Sequence, residues 1–360
     1  MAALAPDDVV ATAAEAASAR RPPLIVLEPL ERFLDAHGIG AGPVDARPIG
    51  DGHSNVTYEL RRAGARVVLR RPPRPPIAAS AHDVLREARL LSALRPAGVR
   101  VPAILAVCED PEPIGMPFFV MEHIDAEVVG ERLPPALDGE AARADIGAEL
   151  VDALVELHRV DPAAAGLDGF GRPGGYLERQ VRRFAAIWES QRTRVIPEVD
   201  AVAAWLADHR PADSGLAVVH GDYRLGNVMF DRARPRLRAI LDWEMATLGD
   251  PLADVGYLCA TWARPGEPDN PLTVLSAVTR RPGFPAPDEL RERYARGSGR
   301  DVDDLRFYEV LALFKGAVFL ESSFRRFREG RTDDPFFATL EAGVPQIART
   351  ALARTTQRPR

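Results

Sequence analysis

Lysine is almost missing from this chain. Of the 46 lysines and arginines in 360 residues, Lys315 is the single lysine. The skew fits a bias of genome composition, yet it has a physical consequence. A site that needs a cation must nearly always take a guanidinium, a planar fork that stays charged. Cysteine is scarce too: Cys108 and Cys259 could form one disulfide, but two thiols in a chain this size fit a reducing cytosol better. A surplus of positive charge is lacking. The net charge is −6, so overall electrostatics give no support for nucleic-acid binding. No apolar run approaches the roughly 20 residues of a membrane span. The first 20 residues are Ala-rich but carry Asp7, Asp8 and Glu15 and lack a basic start, so they do not read as a secretory leader. No Gly-x-x-x-x-Gly-Lys-Ser/Thr motif occurs, which disfavours a P-loop NTPase. The expectation is a cytoplasmic protein whose partner is a small molecule, not a nucleic acid or a membrane.

The composition is ordinary for a globular chain, 46% hydrophobic and 27% charged. The length allows two domains or one bilobal unit. Residues 1–26 read as a weakly specified extension, helical or disordered over 1–22. Leu27, Leu30, Phe33 and Leu34 then recur at helical spacing, and Gly38 and Gly40 stop that helix. A β-rich stretch follows. Pro48-Ile49-Gly50-Asp51-Gly52-His53-Ser54-Asn55-Val56 sets a glycine-rich turn between strand-like pieces. Such a turn brings backbone N–H groups close to phosphates, and it equally suits a plain hairpin. In Val67-Val68-Leu69-Arg70, alternation puts Val68 and Arg70 on one face. Arg70 is either a phosphate grip or a solvated strand-end charge. A helix over 81–94 has Val84, Leu85, Ala88 and Leu91 on its apolar stripe, with Glu87 in reach of Arg70 or else solvated. Phe118 to Glu122 is a short buried strand, and the polar piece after it reads as a hinge. The first lobe is expected over 27–122 and the second over 123–360. Main-chain groups of Glu122 and Ile124 would read an adenine edge.

The second half is mostly helical by its periodicity. Asp138 is placed to cap a helix that carries Ile146, Leu150, Leu154 and Leu157, and Asp301 or Asp303 to cap a long helix ending near Arg328. His158 reads as a satisfied structural histidine. Between these helices lies the stretch that carries chemistry, His220-Gly221-Asp222-Tyr223-Arg224-Leu225-Gly226-Asn227, with Asp242-Trp243-Glu244 fifteen residues on. Apolar runs before, between and after read as strands. Asp222 and Asn227 therefore share a loop, and Asp242 ends a strand. Two carboxylates and an amide at one sheet edge suit one task. Asp222 takes a proton from a hydroxyl, and Asn227 and Asp242 hold Mg²⁺ on nucleotide phosphates. The Asp222–Asn227 spacing is that of the kinase catalytic loop, and Asp242 stands where the metal-binding Asp of Asp-Phe-Gly stands.

With Leu241-Asp-Trp-Glu and Gly249-Asp-Pro-Leu-Ala-Asp254, the chain resembles the aminoglycoside phosphotransferase family of protein-kinase-like fold. Ser54-Asn55-Val-Thr-Tyr58, Val68-Leu-Arg70 and Asp242-Trp-Glu-Met-Ala-Thr-Leu-Gly-Asp-Pro251 are most similar to the branch fused to acyl-CoA dehydrogenases in animals. The resemblance covers roughly residues 27–340 and implies an α+β bilobal fold, with a small β-rich first lobe and a larger helical second lobe. It implies ATP- and Mg²⁺-dependent phosphorylation of a small-molecule hydroxyl. Asp222 would be the base, and Asn227 and Asp242 the metal ligands. Arg70, Glu87 and the turn with Gly50, Gly52, Ser54 and Asn55 would hold phosphates, and Glu122 and Ile124 would lie at the adenine. Asp250 and Asp254 would be structural, capping the next helix and tying down the catalytic loop, and Glu244 is a possible further contact.

Three departures stand out. Arg70 replaces the usual lysine, Ala126 stands where a hinge glycine is common, and Arg224 is placed to stabilise the transferring phosphoryl group. A protein kinase is disfavoured, because Gly249-Asp250-Pro251 follows Asp242 at once and no Ala-Pro-Glu appears. A pseudo-enzyme that only binds nucleotide would tolerate the loss of Asp222, Asn227 or Asp242, all of which are present. An aminoglycoside or macrolide kinase remains the alternative, although cationic drugs want an acidic pocket. Here Arg172, Arg179, Arg182, Arg183, Arg192 and Arg194, with Arg325, Arg326, Arg328 and Arg331, either line an entrance for an anionic metabolite such as a hydroxyacyl-CoA or form solvated helix faces.

Overall fold

The computed structural model describes residues 8–50, 55–75, 83–130, 132–332 and 334–356. They fall into two compact units, Met1–Asp125 and Ala126–Arg360. The first is organised on a sheet and the second is mainly helical.

The first unit opens with β1 (Val9–Val10), α1 (Ala13–Ser18), β2 (Ile25–Val26), parallel to β1, and α2 (Leu27–Ala36). Its main sheet combines β3 (Ala41–Pro48), β4 (Val56–Ala63), β5 (Ala65–Arg71), β6 (Ile104–Cys108) and β7 (Phe118–Glu122) in the antiparallel order β3-β4-β5-β7-β6. Tyr58 and Leu60 of β4, Val67 and Leu69 of β5, and Phe118 and Val120 of β7 all enter one core with Leu30 and Leu34 of α2. Side chains alternate along a strand, so Val68 and Arg70 face the other side, where α3 (Val84–Leu94) packs against β6 and β7. The Asp83 carboxylate accepts from Arg86 N (2.9 Å) and fixes the start of α3 at Val84.

Within the expected N-terminal extension, Ala13–Ser18 is helical, one of the two states the sequence allowed for residues 1–22, and the end of the extension packs into the fold. Leu24 and Ile25 are buried in the same core as α2. The apolar run Leu24-Ile25-Val26-Leu27 gains more from that core than a free end would offer it.

The second unit holds β8 (Glu127–Val128), α4 (Glu140–His158), α5 (Tyr176–Gln191), α6 (Pro197–Asp208), β9 (Ala217–Val219), β10 (Val228–Phe230), β11 (Leu237–Ile240), β12 (Thr247–Gly249) and α7 (Leu252–Thr261). It ends with α8 (Pro287–Ser298), α9 (Leu305–Arg328) and α10 (Leu340–Thr356). Two small antiparallel sheets, β11-β10-β8 and β12-β9, carry the loops of interest. Around α9 pack α5, α6, α7 and α10. The approach of α7 to α9 depends on Gly256, where a Cβ would lie 2.5 Å from Tyr308 Cβ.

Two expected caps are corrected. Asp138 does not cap α4, whose N-cap is Gly139; its carboxylate instead pairs with Arg281 (2.6 Å) and Arg143 (3.5 Å), and those long cations outcompete the local N–H groups. The N-cap of α9 is Asp304, without a side-chain bond, while Asp301 accepts from Asp303 N in the preceding turn. Cys108 and Cys259 are both free and buried. Among the described residues, no helix is long and apolar enough to cross a membrane.

Membership of Ile25 in the core is testable. Ile25→Ala should destabilise the protein by about 2–5 kcal/mol, read from chemical denaturation; a loss within ~0.5 kcal/mol would return residues 8–26 to the status of an appendage.

Candidate active site

Residues 220–227 link β9 to β10, and Asp242 lies two residues past the end of β11 at Ile240. The backbone of this region is pinned at several points. Asp254, fully buried in the first turn of α7, accepts from His220 N (2.7 Å) and Gly221 N (2.8 Å). It also meets His158 Nε2 at 3.2 Å, and His158 Nδ1 lies 2.8 Å from Tyr294 OH. His158 is thus satisfied and structural, and Asp254 ties down the loop. Asp250 caps α7 through Leu252 N (3.0 Å) and accepts from Tyr308 OH (2.8 Å). Gly221 has φ 86°, and a Cβ there would lie 2.7 Å from Met245 O, so the turn requires glycine.

The His220 ring joins the two chemical segments. Its Nδ1 accepts from Asp222 N (3.2 Å), and its Nε2 donates to Leu241 O (2.8 Å). That geometry fixes the neutral tautomer with the proton on Nε2. Leu241 N in turn donates to Asn227 O (2.8 Å), which brings the segment before Asp242 alongside Asn227. Tyr223 OH donates to Leu150 O (2.7 Å) and anchors the loop on α4.

The structure brings together the residues singled out in this unit. Asn227 Nδ2 donates to Asp222 Oδ2 (2.7 Å) and to Asp222 O (2.9 Å). With its nitrogen so committed, the Asn227 amide turns its oxygen away from Asp222. Arg224 Nε lies 3.5 Å from Asp222 Oδ1, with both side chains half-buried. Asp242 has φ 65° and ψ 62° and is the one non-glycine residue with positive φ among the described residues. A strained conformation held at a carboxylate is characteristic of functional positions. Glu244 lies one residue beyond Trp243 in the same short 3₁₀ turn.

Mg²⁺ fits this set. The metal prefers few protein ligands with hard oxygen donors, and Asp242 and the Asn227 oxygen supply that type. Among the described residues, no group of three His, Cys, Asp or Glu forms an all-protein cage.

In the first unit, Arg70 Nε donates to Glu87 Oε2 (2.9 Å), with Glu87 buried and Arg70 half-buried. Gly50 has φ 79°, as a tight turn needs, and Gly52 and Ser54 lie outside the described residues. The buried Asn55 amide has no partner among the described residues. Glu122 is less available than expected. Its N–H already donates to Ala103 O (2.9 Å), and its carboxylate pairs with Arg95 (3.1 Å). Ile124 follows the end of β7.

Part of the arginine cluster is structural. Arg179 donates to Arg172 O and Gly174 O, and Arg194 joins Glu321 (3.1 Å) to the start of α10 through Leu340 O. Arg192 pairs with Glu189 and Arg325 with Glu329. Arg194, and Arg325 through Ser190 O, tie helices together, Arg179 and Arg192 make local contacts, and Arg182, Arg183, Arg326 and Arg328 are exposed.

Two residues near Asp222 were given no role in the sequence reading. The Tyr257 phenol, one turn along α7 from Asp254, lies near the Asp222 carboxylate; burial first, and then that carboxylate, push the phenol well above its ordinary range. Lys315 projects from α9 into a small pocket lined also by Gly221, Asp254 and Tyr257. The signal for Lys315 was its being the sole lysine; Tyr257 had none.

Residues 45–308 match the model of the phosphotransferase enzyme family. Acyl-CoA dehydrogenase family member 10 of Mus musculus is 34% identical over 310 residues, covering 84% of this chain and 28% of that protein. The chain spans less than half the length of the curated relatives it matches. A crystal structure from Ralstonia eutropha, classed as an aminoglycoside phosphotransferase, is 30% identical with a TM-score of 0.78, over 91% of this chain and 97% of that one. The aminoglycoside phosphotransferase APH(4)-Ia, solved as a ternary complex with AMP-PNP and hygromycin B, shares the fold at 16% identity and a TM-score of 0.61, over 92% of this chain and 100% of that one. The α+β kinase-like architecture expected from the sequence is therefore the one observed.

Asp254 also sets a pH dependence. Burial pushes its carboxyl up, but the His158 hydrogen bond and charge and the Gly221 N–H outweigh it, and the net shift is downward. A depressed folded value means the carboxylate contributes fully above about pH 4, and that contribution is lost as pH falls through the lowered value. Asp254→Asn should cost about 3–5 kcal/mol at neutral pH and flatten the acid limb of stability, as followed by denaturation between pH 7 and pH 3. An unchanged acid limb would remove Asp254 from this role.

Proposed function

This chain belongs to the phosphotransferase enzyme family, and on that premise we propose that it transfers the γ-phosphoryl group of ATP, with Mg²⁺, to a hydroxyl of a small molecule. The observation that carries the reading is that the half-buried Asp222 carboxylate is oriented by the Asn227 amide, while the Leu241 N–H to Asn227 O bond draws the segment before Asp242 alongside. Asp222 would orient the acceptor hydroxyl and take its proton as the bond to phosphorus forms. Arg224, beside that carboxylate, would balance charge on the transferring group. In the first unit, the Arg70–Glu87 pair fixes a guanidinium in place of the customary lysine and would grip nucleotide phosphates, with the turn from Gly50 to Asn55 adding main-chain and amide donors. The main chain near Glu122 and Ile124 would meet the adenine. Mg²⁺, held by Asn227 and Asp242 when bound, would supply charge neutralisation on the phosphates.

The acceptor class follows from chemistry more than from kinship. The structural relatives include drug kinases, and the curated relatives are acyl-CoA dehydrogenase family members. A cationic drug would meet Arg224 and Lys315 close to the base. An anionic metabolite, a hydroxyacyl-CoA being one, suits that environment better.

ATP consumption across a panel of hydroxylated metabolites tests the reading. Asp222→Asn should reduce turnover about 10²–10⁴-fold while leaving Mg·ATP affinity within about threefold. Turnover equal to wild type would show that Asp222 is not the base. Arg70→Ala should raise the KM for ATP, with Arg70→Lys restoring most of it; an unchanged KM in Arg70→Ala would remove Arg70 from the nucleotide site.

A further inference from the structure

Lys315 is an ammonium group without a protein acceptor. Among the described residues it makes no ion pair or hydrogen bond, and its recorded polar contact is the Phe184 ring, 5.2 Å from Nζ. Loss of water pulls its pKa down to about 8, against the pull of Asp254 and Asp222, with Arg183 adding to the fall. Those carboxylates are engaged elsewhere. Asp254 holds the loop N–H groups and His158, and Asp222 takes Asn227 and lies beside Arg224. A half-buried cation without a protein acceptor, held in a pocket, marks a place where a ligand supplies the acceptor.

The surroundings say which ligand. The pocket of Lys315 includes Gly221, the residue before the proposed base, together with Tyr257 of α7 and Tyr176 at the start of α5. Its lining comes from α5, α7, α9 and the loop at Gly221, and not from Asn227 or Asp242. On the flank, Phe184 meets Phe319 edge to face at 5.0 Å, and Phe319, one turn beyond Lys315 on α9, is 41% exposed. Cation and apolar edge therefore lie side by side.

We propose that Lys315 is a specificity-determining residue that receives an oxyanion of the acceptor, a carboxylate or a phosphate, while the Phe184–Phe319 edge takes the acceptor's apolar carbons. The subsite rests on the kinase reading above and narrows it. The acceptor is a hydroxy acid or hydroxy phosphate whose anionic group lies a short chain away from the hydroxyl presented to Asp222. A neutral polyol would leave the ammonium group without its partner, and a cationic acceptor would be repelled.

The sole lysine makes the test direct. Reductive ¹³C-methylation of the full-length protein keeps the charge of Lys315 and gives it a single labelled side-chain resonance. 3-Hydroxybutyrate, 4-hydroxybutyrate and glycerol 3-phosphate are titrated against that resonance, with butane-1,3-diol, butane-1,4-diol and glycerol as neutral counterparts. At least one anion should shift it saturably, with its neutral counterpart silent. In equilibrium dialysis of that anion, Lys315→Met should weaken binding about tenfold or more, and Lys315→Arg should retain most of it. Mg·ATP binding should stay unchanged in both variants. No shift with any of the three anions, an equal shift with the neutral counterparts, or unchanged anion binding in Lys315→Met overturns the subsite. The kinase reading is scored separately by Asp222-dependent ATP consumption. A silent Lys315 with that turnover intact removes the subsite alone, whereas anion binding without it removes the acceptor assignment together with the kinase reading.

Discussion

The buried carboxylate of Asp254 is the constraint on which the proposed chemistry depends. A lone charge at zero exposure would be untenable; this one is held by two main-chain N–H groups and an imidazole. In return it dictates the path of the chain through His220 and Gly221. Once that path is set, His220 can lie flat between Asp222 N and Leu241 O, and the two segments that carry the base and the metal ligands come into register. The chemistry therefore sits on a rigid support built from α4, α7 and α8, not on a free loop. Tyr294 of α8, behind His158, extends the same support outward.

A second constraint is the close approach of α7 and α9 at Gly256. It places Asp254 and Tyr257 on one wall and Lys315 on the opposite wall of a single pocket. Three groups with opposed electrostatic preferences then share a small volume. The Asp222 carboxylate raises the phenol of Tyr257, and desolvation lowers the ammonium of Lys315. Perturbations of this kind in one cleft mark functional positions more often than structural ones.

Much of this was legible in the sequence, and the unequal legibility has a physical basis. The loop from His220 to Asn227 and Asp242 could be read because local spacing fixes its geometry. The Arg70–Glu87 pair could be suspected only from the resemblance to a kinase strand–helix ion pair, because alternation places Arg70 on a face but does not say what meets it. The two-lobed α+β organisation followed from the change in periodicity between the halves. What escaped depended on distant partners. Asp138 has the local signature of a cap, yet it is drawn away by Arg281, 143 residues further along the chain. The arginines around 179–194 looked like a patch because one-dimensional clustering does not reveal that Glu321 and the main chain at Leu340 are waiting for Arg194. Tyr257 and Lys315 were invisible for the same reason: each gains its meaning from a side chain on another helix. Leu24 and Ile25 were missed because an apolar run of four near an Ala-rich end carries too little periodicity to declare itself.

The central claim is that Asp242 and Asn227 hold a metal for a nucleotide that Asp222 then helps to use. Calorimetric titration of ATP with and without Mg²⁺, on the wild-type chain and on Asp242→Ala, tests it most directly. The account predicts that Mg²⁺ strengthens ATP binding to the wild type by about tenfold or more and has little effect on the variant. An identical Mg²⁺ dependence in the two proteins would contradict it.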